Sequence, residues 1–459
     1  MSSALSGPKP RFIWGHLLDF GHDPLAFLER SVREYGDFVS LRFLHRPVFI
    51  LNHPDQLEYV LGSHSRNFRK TIGYQTPIMR RLFGHGLLTS EGELWQRQRK
   101  LAQPAFHRER IANYAEVVVD FTTRTLNQWK SGQTRAIHVD MMRLTTEVVT
   151  KTLFNSDVPS EINQLGEASG AVMHRFAQQW TGWRLLLNLL PTPSGRRFEK
   201  VIQQLDAFIL GLISERRTSG HDAGDLLSML LHGKDEEGRG MSDQQLRDEL
   251  TTLMVAGLDT TALALSWSLY LLSKNPAVDA SLAAELLTVL GGRRPQFSDL
   301  PQLRYTELVV KEAMRLYPPA WVIGREAIQD CEIAGYRVPA GASLLMSQWL
   351  KHRDSRYFEA PEKFLPERWE SESVKKQPKF IYFPFGAGPR ICIGSAFAML
   401  EAVLGLATVA QRFRMTAPSD YVVSPWPAIT LQPKGGIHLR IEERVPSSES
   451  IRLQTLAQV

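Results

Sequence analysis

Phe383–Gly394 reads FPFGAGPRICIG, and a helical run, Ser395–Leu404, follows it directly. Three glycines, two prolines and a cysteine fall within twelve residues. Repeated glycine opens backbone dihedrals closed to other residues and lets a chain pass close to something flat. A cysteine placed just before a helix can have its thiolate stabilised by the helix N-terminus and by loop N–H groups. Cys392 therefore reads as a thiolate held in a rigid loop. The second cysteine, Cys331, stands in a strand-like stretch with no such loop before it and reads as structural.

Working outward, one helix is unusual. Ser242 with Gln245 three residues later forms a capping-box pattern, and the run continues to about Lys274, before Asn275-Pro276. Its stretch Leu250–Leu272 is apolar nearly all round. Asp259 in the middle would be costly in a bilayer, so a helix through the centre of a large core is expected instead of a transmembrane span. Asp259 and Thr260 are polar where that pattern calls for core, and Thr260 can bond back to the Ala256 carbonyl. Glu312 and Arg315 are three apart and share a helix face.

Further along the chain, Pro24–Tyr35 has helical spacing and ends at Gly36. FVSLRF and PVFILN, separated by Leu44–Arg46, read as a hairpin. From Trp95 to about Leu290 the text is almost wholly helical, with breaks near Leu190–Gly195 and His232–Gly240. Strand signals return near Cys331–Val338, Ser343–Met346 and Thr430–Ile441. With no linker and no repeat, residues 1–459 read as a single large α-rich domain with a small β-rich part drawn from both ends of the chain. The polar N-terminal segment, about 1–10, is expected to be flexible.

Phe385-x-x-Gly388-x-Arg390-x-Cys392-x-Gly394 resembles the haem-binding signature of the cytochrome P450 family. Three more motifs occur in the family's order: Trp95-x-x-x-Arg99, Ala256-Gly257-Leu258-Asp259-Thr260-Thr261 and Glu312-x-x-Arg315. Pro366-Glu367-Arg368-Trp369 is similar to the family's PERF segment, with Trp for Phe. The likeness covers essentially the whole chain, and Leu87–His107 looks like the bacterial relatives of the fatty-acid and microsomal branch. The resemblance implies a mainly α fold with haem b between the long central helix and the Cys392 loop.

In that fold Cys392 is the axial iron ligand, a thiolate that pushes electron density onto the iron. Phe385, Trp95, Arg99, Arg325 and Arg390 hold the haem, the cations among them binding its propionates. Asp259 and Thr260 support proton delivery, with the helix distorted near Gly257. Glu312, Arg315 and Arg368 form a buried structural network. Leu87, Leu88, Ala256, Val322, Ile323 and Ile429 line a lipophilic pocket suited to a fatty acid, terpene or steroid, together with the Ala171–Trp183 stretch. Arg42 and Arg46 could meet a carboxylate at its mouth.

The implied activity is a monooxygenase using O2, with NAD(P)H acting only through a reductase and a ferredoxin or flavodoxin. Arg97, Lys100, Arg108, Arg110, Lys375, Lys376 and Lys379 are candidates to meet that acidic donor, Arg97 and Lys100 facing outward. Alternatives are a peroxygenase or lipid-hydroperoxide rearranging enzyme, whose known forms usually lack the acid–Thr pair, and a haem sensor or carrier without turnover.

Composition agrees. Among 459 residues, 54 Lys and Arg face 48 Asp and Glu, a net +6, too modest for a nucleic-acid footprint. Two cysteines exclude a disulfide scaffold and a four-cysteine metal site. MSSALSGPKP lacks the apolar run of a signal or an anchor, so a cytoplasmic monomer is expected.

Overall fold

The computed structural model describes residues 6–156 and 193–444. The helix Pro24–Tyr35 shows why the local text is helical. Asp23 accepts a bond from Ala26 N at 3.1 Å, Pro24 takes the first helical position, and Gly36 stops the helix with φ at +88°. The hairpin pairs Phe38–Phe43 with Arg46–Leu51 in antiparallel register, from Phe38 opposite Leu51 to Phe43 opposite Arg46. Of the N-terminal segment expected to be flexible, residues 1–5 lie outside the described residues. Ser6 O accepts from Ser40 N at 2.8 Å, alongside the first strand.

The two ends of the chain meet in one five-stranded sheet. Its order is Phe38–Phe43, Arg46–Leu51, Ser343–Met346, Ile323–Ala327 and Phe68–Lys70. Arg46–Leu51 and Ser343–Met346 are parallel, and the other pairs are antiparallel. Neither Phe68–Lys70 nor Ile323–Ala327 is evident as a strand from sequence, because each is short and held mainly by its partners. A three-stranded sheet joins Thr134–Ala136, His438–Glu443 and Phe413–Thr416. Thr134–Ala136 thus interrupts the stretch read as helical, drawn into extended form by the strand at the far end of the chain.

The long helix spans Asp243–Lys274, capped by Ser242, whose side chain accepts from Gln245 N at 3.2 Å. Among the described residues it is the one helix long and apolar enough to cross a membrane, and 78% of its most apolar window is buried inside the protein. It is the core helix, packed on Ile137–Phe154, Arg304–Leu316 and Ser395–Arg412.

The distortion expected at Gly257 is absent, and the helix runs unbroken through it. The glycine serves packing instead: a Cβ there would meet Val149 of the Ile137–Phe154 helix at 3.2 Å. Two side-chain hydroxyls engage neighbouring carbonyls. Thr145 donates to Leu258 O at 2.8 Å and Thr260 to Ala256 O at 2.7 Å.

Candidate active site

The Phe383–Gly394 loop is fixed at both ends by its own backbone. Phe383 N donates to the buried His352 Nε2 at 3.0 Å, and Gly386 N returns to Phe383 O at 2.9 Å. Cys392 N donates to Phe385 O at 2.9 Å, placing the cysteine just before the Ser395–Arg412 helix. Gly388 has φ +69°, and a Cβ on it would sit 1.6 Å from Leu61 O, so no side chain fits there. Cys392 is exposed to a solvent probe, yet burial raises its thiol pKa, eased by the Gly394 N–H and the Arg99 charge.

The long helix shows the same signature. Ala256 is exposed and Thr260 half-buried, although Met254, Leu258 and Asp259 around them are buried. Accessible surface on two elements that lie inside the fold marks an internal hollow.

Cations gather beside this loop. Arg99 donates to Ile391 O at 2.7 Å. Arg325, 8% exposed on the Ile323–Ala327 strand, donates to the neighbouring Gly324 O at 2.9 Å, and burial lowers its pKa. Arg390 pairs with Glu91 and lies over the Trp95 ring at 4.4 Å, while its buried Nη1 has no partner. Trp95 is thus a platform for Arg390.

Lys70 and Glu91 complete the cluster and were not singled out from sequence. The strand alternates in burial, with Phe68 buried, Arg69 exposed and Lys70 buried, so Lys70 points inward although no local sequence pattern announces it. Its Nζ donates to Leu87 O and Ser90 O at 2.8 and 3.0 Å. Burial, then repulsion from Arg390 among nearby charges, lowers its pKa to about 7. Glu249 accepts from Leu87 N at 3.0 Å, and burial raises its carboxyl to about 8. Glu91 is therefore the carboxylate set against Arg325, Arg390 and Lys70, while Arg99 stands by Cys392. One buried and two half-buried guanidiniums short of anions, beside a cysteine facing a hollow, fit a haem: the propionates supply the missing negative charge, and a metal-bound thiol is deprotonated outright.

Asp259, 2% exposed, faces the other way along the long helix. Its carboxylate accepts from Thr430 Oγ1 at 2.6 Å and Gln432 Nε2 at 3.0 Å, both from the stretch around the Leu431–Pro433 strand. Asp259 and Thr260 are adjacent in sequence but bonded in different directions.

Glu312, Arg315 and Arg368 come together in full. Arg315 grips both Glu312 oxygens at 2.9 Å and donates to the carbonyls of His352, Pro361 and Lys363. Arg368 Nε reaches Glu312 at 2.8 Å. Trp369 adds an indole bond to Glu312 at 3.1 Å, a donor that Phe would lack. The network touches the loop through His352, whose carbonyl serves Arg315 while its ring serves Phe383.

The pocket residues divide among apolar clusters. Leu87 is buried, and Leu88 and Ile429 pack against the main core. Ile323 leans on the loop, its Cδ1 3.4 Å from where a Gly386 Cβ would be. Val322 packs with Phe20, Trp321 and Trp349 in a separate N-terminal cluster. Ala171–Trp183 lies outside the described residues.

Arg97 does not face outward: Asp235, Gln245 and two carbonyls hold it, because the Asp235–Gly240 turn folds back over its helix. Lys100 is exposed and pairs with Glu236. Lys375, Lys376 and Lys379 are exposed, and Arg110 reaches Gly224 O at 3.2 Å. The Arg108 side chain lies outside the described residues. Arg42 turns to the carbonyls of Arg11 and Phe12, and Arg46 lies 3.8 Å from Glu326.

Comparison with known proteins agrees with this geometry. The cytochrome P450 family model matches residues 5–440. Cyclooctatin synthase of Streptomyces melanosporofaciens is 38% identical, covering 91% of each chain. Cyclooctat-9-en-7-ol 5-monooxygenase of the same organism is 36% identical over 87% of each. Pentalenene oxygenase of Streptomyces avermitilis is 32% identical, covering 94% of this chain and 96% of its own. With the cysteine loop, its cations and the network all in the family's order, the chain belongs to the cytochrome P450 family.

Proposed function

We propose that this protein is a haem-thiolate monooxygenase acting on a lipophilic, terpene-like substrate, with electrons from a separate ferredoxin or flavodoxin and its reductase. The observation that carries the reading is Cys392 facing an internal hollow beside cations that lack enough anions. The terpene class is supported by relatives named for cyclooctatin, cyclooctat-9-en-7-ol and pentalenene. When bound, the haem supplies the activation of O2.

The chain's own residues do the rest. The Cys392 loop holds a sulfur in fixed position. Arg99, Arg325 and Arg390 orient the cofactor by its carboxylates. Leu87, Leu88, Ile323 and Ile429 exclude water and offer apolar surface. Thr260 holds a hydroxyl at the hollow, and Asp259 stores a carboxylate one residue away, bonded to Thr430 and Gln432. Proton delivery then requires Asp259 to exchange those bonds for solvent or for a hydroxyl chain. The exposed Lys100, Lys375, Lys376 and Lys379 suit an acidic donor, which charge would steer.

The test is a panel of terpenes, fatty acids and steroids scored by the Soret spin-state shift, followed by mass spectrometry of products formed under labelled O2. Terpenes should shift the band and gain one labelled oxygen. Unlabelled product formed with peroxide alone, and no labelled product with reductant, would overturn the reading.

A further inference from the structure

The short hairpin that holds Asp259 also reaches the hollow. Pro425–Pro427 pairs with Leu431–Pro433 in antiparallel register, and Ala428–Thr430 turn between them, closed by Ala428 N on Thr430 O at 3.0 Å. The flanks of the turn are fixed. Trp321 Nε1 donates to Ala428 O at 3.0 Å, Trp267 Nε1 to Leu431 O at 3.2 Å, and Leu431 N to Pro319 O at 2.9 Å. Ala428 and Thr430 are 5% and 7% exposed, yet Ile429 between them is half-buried, packed against the main core. Accessible surface at a turn sunk in the fold is the mark that Cys392 and Ala256 carry. Thr430 is bonded to Asp259, the neighbour of Thr260, so Ile429 faces the same hollow.

The text Ile429-Thr430-Leu431-Gln432 alternates apolar and polar, and in extended backbone successive side chains take opposite faces. Thr430 and Gln432 therefore share the face turned to the central helix. Thr430 Oγ1 reaches Asp259 Oδ2 at 2.6 Å, and Gln432 Nε2 reaches both carboxylate oxygens at 3.0 and 3.1 Å and Thr430 Oγ1 at 2.7 Å. These donors favour the acid in a direction that does not serve the hollow. Ile429 offers a way to undo them. A substrate pressing on it displaces the next residue too, and a shift of about half an ångström takes a short hydroxyl bond out of its best range.

We infer that Thr430 and Gln432 are positioning residues that hold Asp259 aside until a substrate seated on Ile429 releases it, so that proton delivery waits for an occupied pocket. The inference rests on the oxygenase reading and adds to it the part that ties the acid to the substrate. Only a proton moves: the released carboxylate takes it from water, passes it toward the Thr260 hydroxyl, and returns to its donors when the product leaves. A substrate that must break these bonds binds more weakly by what they contribute. By reciprocity, removing the bonds strengthens binding.

The experiment is a Soret titration of the haem-loaded full chain with the terpene, fatty acid or steroid that shifts the parent most in the panel above. Thr430→Val keeps the shape and loses the hydroxyl, and should tighten binding about three- to tenfold. Thr430→Ser keeps the hydroxyl and should bind as the parent does. In an Ile429→Ala background Thr430→Val should bring no gain, a non-additive cycle. The solvent isotope effect on product formation should fall in Thr430→Val, which a merely structural loss would not cause. Gln432→Leu repeats the test if Thr430→Val loads too little haem. Equal or weaker binding by these variants at the parent's melting temperature overturns the inference. So does additivity with Ile429→Ala, and so does failure of both variants to load haem, since the donors would then be structural. If no compound shifts the band, the oxygenase reading fails and takes the inference with it. If the parent binds and turns over while the variants bind no tighter, the inference alone fails.

Discussion

Two clusters of charge inside the molecule end differently. In the first, Glu312 accepts from Arg315, Arg368, Trp369 and Leu365 N, and both Glu312 and Arg315 are wholly buried. Each guanidinium spends its remaining donors on loop carbonyls. In the second, Glu91 pairs with Arg390, accepts from Lys70 N and stands near Arg325, Arg99 lies by Cys392, and Arg390 Nη1 is left without a partner. The first cluster closes on itself and is architecture. The second is open by the charge of a dianion and is a binding site. Buried charge alone says little; the balance of donors and acceptors around it separates the two roles.

The sharpest way to break this contrast is to open the closed cluster. Arg315→Ala strands Glu312 in the core, at a cost of about 3–5 kcal/mol. Against a typical stability of about 5–15 kcal/mol, little folded, haem-loaded protein should be recovered. Haem content and thermal melting read this, and a normal yield would show that the closed cluster contributes little to stability.

Next comes the loop. Cys392→Ser should abolish the long-wavelength band of the reduced, carbon-monoxide-treated protein, while Cys331→Ser keeps it. Circular dichroism should show both variants folded, since Cys392 faces a hollow and fills no core.

The open cluster should respond oppositely to the closed one. Arg325→Met removes a buried cation that has no acidic partner of its own, so the haem-free protein should melt no lower than the parent. Haem loss to an acceptor should accelerate about 10- to 100-fold, as expected for charge-assisted bonds of about 1.5–3 kcal/mol. If the haem-free variant melts far lower, the two clusters are not different in kind.

A fourth test uses a buried acid belonging to neither cluster. Glu401, 2% exposed on the Ser395–Arg412 helix, makes no well-formed hydrogen bond, and burial raises its carboxyl to about 8, eased by Thr261. A folded pKa above the unfolded value means its contribution is fully present below the ordinary carboxylate range and is lost as pH rises through about 8. Glu401→Gln should therefore flatten the fall of stability between mildly acid and mildly alkaline pH, by on the order of 3 kcal/mol near neutrality. Melting curves across that range would show it.

The smallest effect on stability should come from Thr260→Ala, which deletes a single back-bond inside a helix. Its mark should be chemical, with reducing equivalents diverted to peroxide and substrate binding retained. Asp259→Asn should slow turnover more than it uncouples it. Peroxide assay against NAD(P)H consumption decides both.

Much of the site was legible because its residues come in short local patterns. The glycine-bracketed Cys392, the Glu312–Arg315 spacing and the capped helix from Ser242 each fit within a few turns of chain. What escaped depends on pairing at a distance. Arg390 meets Glu91 across 299 residues, and Asp259 meets Gln432 across 173. Arg97 reads as an outward charge because nothing local says that the Asp235–Gly240 turn will close over it. The strand Ile323–Ala327, which presents Arg325, is five residues long and made extended by its neighbours Phe68–Lys70 and Ser343–Met346. The helix distortion expected near Gly257 is replaced by close packing of that glycine against Val149.

The parallel pairing of Val48 with Ser343 has a consequence for biosynthesis. A ribosome delivers the first two strands of that sheet long before their third partner, and Cys392 emerges later still. Contacts so distant in sequence form slowly, and the early hairpin waits with an unpaired edge. The cofactor cradle draws on residues from Lys70 to Cys392, so it cannot be complete until Cys392 has emerged. Haem must enter late, and a cell that makes this protein faster than it makes haem will accumulate chains whose arginines crowd one another without their counter-ion.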